Sequence, residues 1–408
     1  MDINWKQLNQ IFETGTRAEL ETFCSDNQLE IRDGKIYAKF DVDEEYAFWD
    51  KRQLVRKILL NSLYGALLNV GSRFFDARLG QSVTLTGRSI VKHMSAQVNE
   101  TIAGEYDHVG ESVVYGDTDS VYFSAYPILK PQIDAGEVTW NKDTAAEFYD
   151  AVSDEVDKTF VNYMADSHNC PSRLGGIIKA GREIVGSRAL FITKKRYAIL
   201  VYDNEGFRED HSGKPGYLKA MGLDLKRSDT PSYMQEFLKV ILMDALTGVP
   251  EEEIIRKVKD YREEFKKMPP WEMGTPKRVN KLTIYKSMEY DSSDGIERFT
   301  GKATMPGHVR AAINYNRLRK VMNDNHSMEI SDGMKTIVCK LKDNPMGITS
   351  IGIPTDENRI PEWYKELPFD LDAMEHAIVT KKVKNLLGVL KWDLSYSKVN
   401  ATFNSLFD

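Results

Sequence analysis

The hexapeptide Tyr115-Gly116-Asp117-Thr118-Asp119-Ser120 limits what this chain can build more than any other stretch. Apolar residues flank it, Val113-Val114 before and Val121-Tyr122-Phe123 after. Apolar runs around a short polar middle predict strand, turn and strand over 111–125. The turn then carries two carboxylates. Carboxylate oxygens on a rigid turn suit hard divalent cations such as Mg²⁺, especially where substrate phosphates add further ligands. The plainer reading is a polar turn, for which Asp and Thr are common choices.

Around that hairpin the chain has ample material for a core. It has 408 residues, 41% hydrophobic and 10% aromatic, enough for two or three domains of about 100–200 residues. Aromatic and branched apolar residues recur throughout, unlike a disordered chain. No run approaches the ~20 apolar residues of a membrane span, and MDINWKQLNQ at the start lacks an apolar signal segment. The cysteines, Cys24, Cys170 and Cys339, lie far apart and form neither a disulfide framework nor a metal-ligand spacing, as expected in a reducing cytoplasm. The net charge of -6, from 55 Lys and Arg against 61 Asp and Glu, argues against a wholly basic nucleic-acid binder but leaves room for a local basic groove.

Hydrophobic periodicity predicts a short opening helix (Trp5, Leu8, Ile11, Phe12), a hairpin turn at Asp33-Gly34, and helices over 51–70, 81–103 and 144–165. Two β-rich runs follow, Glu183–Ile192 and Arg196–Asp203. Gly213-Lys214-Pro215-Gly216 reads as a linker, after which 231–266 is mainly helical until Pro269-Pro270. A polar loop spans Asp291–Gly301, and the last ~40 residues look helical until a short tail.

Within the helix at 51–70, Lys57, Asn61, Tyr64 and Leu68 share one face, while Leu60, Leu63 and Leu67 form a second stripe fit to pack on a core. A cation, an amide and an aromatic ring on one face suit a nucleotide; a solvated helix with one buried Tyr is the alternative. Gly65 costs helix stability and admits close approach by another group. Lys194-Lys195-Arg196-Tyr197, with Arg188 upstream, suits backbone phosphates or is a solvated turn. The tail Ala401–Asp408 carries Phe403, Leu406 and Phe407, anchors for a partner's groove or a segment folded on its own domain.

Together these segments resemble family B DNA polymerases. YGDTDS at 115–120 resembles motif C, KxxxNSLYG at 57–65 resembles motif B, and KKRY at 194–197 resembles the family's KxY element. GLDLKRSDTP at 222–231 resembles the start of the thumb, with Lys226, Arg227 and Ser228 toward the primer. His308-Val309-Arg310, Asn344–Gly347 and the terminal NSLFD resemble segments of the T-even bacteriophage branch, the last its sliding-clamp-binding end. The resemblance runs from about residue 51 to the end, in the family's order.

The implied fold is α+β, a right-hand polymerase with an antiparallel palm sheet, partial helical fingers and a mainly helical thumb. The implied domains are partial fingers at 1–69 (motif B helix 51–69), palm at 70–215, thumb at 216–398 and clamp-binding tail at 399–408. By matched position, Asp119 is a metal ligand and Asp117 its catalytic neighbour. Lys57, Asn61 and Tyr64 bind nucleotide, and Gly65, Lys194, Lys195, Arg196, Tyr197, Lys226, Arg227 and Arg310 bind DNA. Asp203 is structural, and Phe403, Leu406 and Phe407 bind the clamp. The implied reaction is two-metal phosphoryl transfer, with Mg²⁺, primer-template DNA and dNTPs, in viral replication in the host cytoplasm.

The family's D-x-x-S-L-Y-P element, which carries a second metal-ligating aspartate, is absent, and so is an exonuclease. The expectation is a C-terminal subunit of a split polymerase. Its partner chain supplies motif A, the exonuclease and the first finger helix, through a large obligate interface. The other readings are a fragment of one long polymerase chain, a non-catalytic relic that binds DNA and clamp, and a metal-dependent nuclease of unrelated fold.

Overall fold

The computed structural model describes residues 5–27, 29–32, 35–38, 42–211, 213–286, 290–291, 298–299 and 305–392. Most of the polar loop predicted at 291–301 and all of the tail at 399–408 lie outside these. The chain divides into two units, Met1–Lys92 and His93–Asp408.

In the first unit, α1 (Trp5–Thr14) and α2 (Arg17–Asp26) precede the antiparallel pair β1 (Leu29–Arg32) and β2 (Lys35–Ala38). Thr16 starts α2 with a capping box: its hydroxyl accepts from Glu19 N–H at 3.3 Å, and Glu19 accepts from Thr16 N–H at 2.7 Å. Leu8, Phe23, Cys24 and Leu29 form a small buried cluster. The helix predicted over 51–70 starts earlier, as α3 (Val42–Leu68). Acidic residues in a first turn favour the helix dipole, and Glu45 accepts from Trp49 Nε1 at 3.0 Å.

Likewise α4 (Ala77–Ala103) gains a turn over its apolar pattern, because Asp76 accepts from the Arg78 backbone N–H at 2.9 Å. Gly80 lets the α3 end approach, since a Cβ there would lie 2.1 Å from Leu68. The stripe expected to pack on a core does not: Leu60 is 68% and Leu63 58% exposed. Periodicity marks an apolar face, but burial needs an opposing surface, and the described residues supply little.

The second unit takes in the end of α4 and then the predicted hairpin, β3 (Val113–Asp117) and β4 (Ser120–Phe123). Short α5 (Tyr126–Asp134), long α6 (Lys142–His168) and the single turn α7 (Ser172–Gly175) follow. Then come β5 (Ile184–Thr193), β6 (Arg196–Asn204), β7 (Phe207–Arg208) and β8 (Tyr217–Met221), an antiparallel sheet in which β6 pairs with the other three. The predicted linker 213–216 is a loop that returns the chain to this sheet, giving the second edge of β6 a partner.

Strand β6 is buried on both faces. Its alternation sends Tyr197, Ile199 and Val201 toward the β3–β4 hairpin and Ala198 and Leu200 into the main core. That core continues through α8 (Ser232–Thr247), α9 (Glu251–Lys266), β9 (Thr275–Arg278), α10 (Leu282–Lys286), α11 (Gly307–Val321), β10 (Lys335–Lys340) and β11 (Ser350–Pro354). It closes with α12 (Glu362–Lys365), α13 (Leu371–Glu375) and α14 (Lys381–Leu387); β9, β10 and β11 form an antiparallel sheet with β10 central. Cys24 and Cys339 are buried and Cys170 half-buried; burial pushes the Cys339 thiol up to about 12. The α+β reading stands, and no helix among the described residues is long and apolar enough to cross a membrane.

Candidate active site

Two hairpin tips meet in the second unit. The β3–β4 tip is a two-residue turn, Thr118-Asp119, closed by the pairing of Asp117 with Ser120. The β5–β6 tip is also a two-residue turn, Lys194-Lys195, closed by Thr193 with Arg196. Such turns need left-handed backbone, and each tip uses a non-glycine for it: Thr118 at φ 56° and Lys195 at φ 60°.

At the first tip the Thr118 hydroxyl donates to Asp117 Oδ1 at 2.9 Å, and Asp119 N–H donates to Asp117 O at 2.6 Å. Asp117 is half-buried and Asp119 exposed. The Lys195 ammonium lies 3.5 Å from Asp117 Oδ1, and the Lys195 backbone N–H donates to the Tyr115 hydroxyl at 2.7 Å. Lys194 and Lys195 are exposed, but the Tyr197 ring is only 5% exposed and packs beneath the tips.

Strand β8 delivers the segment at 222–231 to the same place. At Gly222 (φ 63°) a Cβ would sit 2.0 Å from the Lys195 carbonyl, so only glycine allows this approach. The chain then presents Lys226 and Arg227 as exposed cations. Asp224, buried between them and β6, lies 3.7 Å from Arg196, 3.7 Å from Arg227 and 3.8 Å from Lys382. Arg310 is exposed on α11. Asp203 is buried and accepts from Arg182, which also binds Asp150 at 2.8 Å, and from Gly206 N–H at 3.0 Å. Lys57, Asn61 and Gly65 are exposed and Tyr64 half-buried on α3, in the first unit; a Cβ at Gly65 would meet nothing within 4 Å.

A cleft of about 380 Å³ opens between β4 and β5, lined by Asp119, Tyr122, Glu183, Gly186 and Phe191 among others. Among the described residues β5 has β6 as its only ladder partner, and β3 and β4 pair only with each other. Asp117 and Asp119 provide the hard oxygens Mg²⁺ prefers. Among the described residues, however, no cluster of three or more His, Cys, Asp or Glu could hold a metal. The donor set fits the ion in kind and is incomplete in number.

Sequence reasoning missed the Tyr115 and Tyr122 hydroxyls, Glu183 in the cleft and the Arg182 bridge. Period-two alternation, which puts Tyr115 opposite Tyr122, was the available signal for the tyrosines.

Residues 35–167 match the family model described as DNA polymerase family B. The DNA-directed DNA polymerase of Escherichia phage RB69 is 31% identical over 74% of this chain and 33% of its own length. This chain belongs to the family B DNA polymerases. The DNA-directed DNA polymerase of Enterobacteria phage T4 is 28% identical over 83% of this chain and 36% of its own length. A DNA polymerase of Thermococcus gorgonarius is 28% identical over 64% of this chain and 26% of its own length. The chain thus spans about a third of the phage polymerases it matches.

Proposed function

We propose that this chain supplies motif C, the motif B helix and the thumb of a DNA-directed DNA polymerase, which adds nucleotides to a primer 3′ end in phage replication in the host cytoplasm. The observation that carries the reading is the meeting of the two tips, an exposed Asp119 and an Asp117 paired to Lys195 at 3.5 Å. Asp119, with Asp117 beside it, is the metal-facing carboxylate. A bound Mg²⁺ would neutralise charge on the nucleotide phosphates and the attacking hydroxyl. Lys57 binds the triphosphate, while Asn61 and Tyr64 line the base and Gly65 leaves room for the new pair. Lys194, Lys195, Arg196, Lys226, Arg227 and Arg310 carry duplex phosphates as sequence-independent cations, with Tyr197 at the base of the Lys195 tip.

A second carboxylate and an exonuclease come from complementary polypeptide, which we place as a partner subunit. That reading is supported by the incomplete donor set, the cleft beside the edge of β5 that pairs with no strand among the described residues, and the exposed leucines of α3. The tail residues Phe403, Leu406 and Phe407, outside the described residues, are proposed to engage a sliding clamp.

The test is primer extension with Mg²⁺ and all four nucleotides, by this chain with its complementary polypeptide. Asp119→Ala should lower incorporation at least about a thousandfold and leave primer-template affinity within about twofold, as for a group acting in the transition state. Persistent incorporation would remove Asp119 from the metal site. Deleting Phe403–Asp408 should abolish clamp-stimulated processivity and spare distributive synthesis; equal stimulation of both forms refutes the clamp role.

A further inference from the structure

Beneath the two tips lie four rings, Tyr115, Tyr122, Phe191 and Tyr197, with centroids 5.1–6.0 Å apart. Apolar burial alone would hold such a cluster with phenylalanines, so the phenol oxygens call for a separate account. The Tyr122 and Tyr197 hydroxyls are 2.6 Å apart, and the Tyr115 hydroxyl accepts the Lys195 N–H. Tyr115 and Tyr122 belong to the strands of the carboxylate hairpin; Lys195 and Tyr197 belong to the cationic one. Every one of these polar contacts therefore crosses from one tip to the other. Burial, and then the bond to Tyr197, raises the Tyr122 phenol above its ordinary value, so it stays protonated and able to bond at neutral pH.

The tips need such a brace. Thr118 and Lys195 occupy left-handed backbone without being glycine, a conformation that persists only where the surroundings fix it. Tyr197 offers almost no surface to a nucleic acid, so what it contributes passes through the groups it holds.

We infer that Tyr122 is a positioning residue. Its hydroxyl fixes Tyr197 and, together with Tyr115, the Lys195 turn. The Lys195 ammonium and the motif C carboxylates then keep one spacing while a primer end advances past them. The inference rests on the polymerase reading above and deepens it by naming what holds the two halves of the site in register.

Tyr122→Phe removes one oxygen and keeps the ring, so the fold should survive. In the complex with complementary polypeptide, kcat for incorporation should fall about tenfold, the scale of one net hydrogen bond, with nucleotide KM unchanged. Tyr197→Phe should match it, and the double variant should be no worse than either single, because both remove the same bond. In a Lys195→Ala background Tyr122→Phe should cost nothing further, an outcome a generally structural residue would not give. Wild-type kcat in Tyr122→Phe, or additive losses, would overturn the inference.

Amide hydrogen exchange on this chain gives a second readout independent of synthesis. The Lys195 amide should exchange several-fold faster in Tyr122→Phe and Tyr115→Phe, and unchanged exchange in both overturns the brace. If the wild-type complex makes no DNA while exchange still quickens, the polymerase reading falls and the coupling of the tips stands.

Discussion

Helices α3 and α8 are both rich in leucine and its relatives, yet they live in opposite surroundings. Met234, Leu238, Ile241 and Leu242 of α8 are 0% exposed. Leu54, Val55, Ile58, Leu59, Leu60 and Leu63 of α3 are all more than half exposed. At about 1.5–3 kcal/mol for each large apolar side chain fully buried, α8 is held by its own chain, while the described residues give α3 little such support. The comparison separates the two jobs of apolar residues. On α8 they stabilise this polypeptide; on α3 the described residues leave them largely uncovered.

The sharpest way to break this contrast is a pair of truncations. Leu242→Ala should cost about 2–5 kcal/mol in denaturant unfolding of the chain alone. Leu60→Ala should cost less than about 0.5 kcal/mol there, the usual range for exposed positions. With complementary polypeptide present, Leu60→Ala should weaken association by about 1–3 kcal/mol by calorimetry. Equal losses in the isolated chain would show α3 already covered.

Function can be set against stability on α3 itself. Lys57→Ala should raise the nucleotide KM about tenfold with little change in unfolding, because an exposed lysine holds nothing together. An unaltered KM removes Lys57 from the phosphate site.

The smallest expected effect is a pH dependence. His93 is buried, stacked on Tyr163 at 3.8 Å and bonded to Tyr106 and Thr159. Burial holds it below its usual value of 6.5, against a weaker opposing pull from Glu100. Near and below that pH the unfolded chain therefore binds more protons than the folded one. The stabilisation from neutral His93 is complete above about pH 6.5 and lost as the pH falls through the lowered folded value. Melting temperature should drop on acidification from about pH 6.5 to 5, and His93→Gln should flatten the drop. A parallel slope in the variant would place the titrating group elsewhere.

The carboxylate hairpin was legible because apolar runs bracket a polar pair closely enough for local rules to apply. The helix at 144–165 was legible from its apolar period; α6 starts two residues earlier, at Lys142, where Asn141 accepts from the Asp143 and Thr144 backbone. The meeting of the tips was not legible. Asp117 and Lys195 approach only because β6 is buried on both faces and turns its odd-numbered residues toward the hairpin, a tertiary fact that no window of sequence contains. The exposed stripe on α3 failed for the opposite reason: the pattern was real, and the described residues place little against it.

The burial of Cys24 and Cys339 has a practical side. A thiol-reactive dye finds both shielded, and the Cys339 sulfur is further disarmed by its raised ionisation, since the thiolate is the reactive form. Cys170, just past the end of α6, is left as the natural address for a label. Energy transfer from that single position to a fluorophore on DNA can then follow the hairpin-bearing unit in the wild-type chain, with no cysteine added or removed.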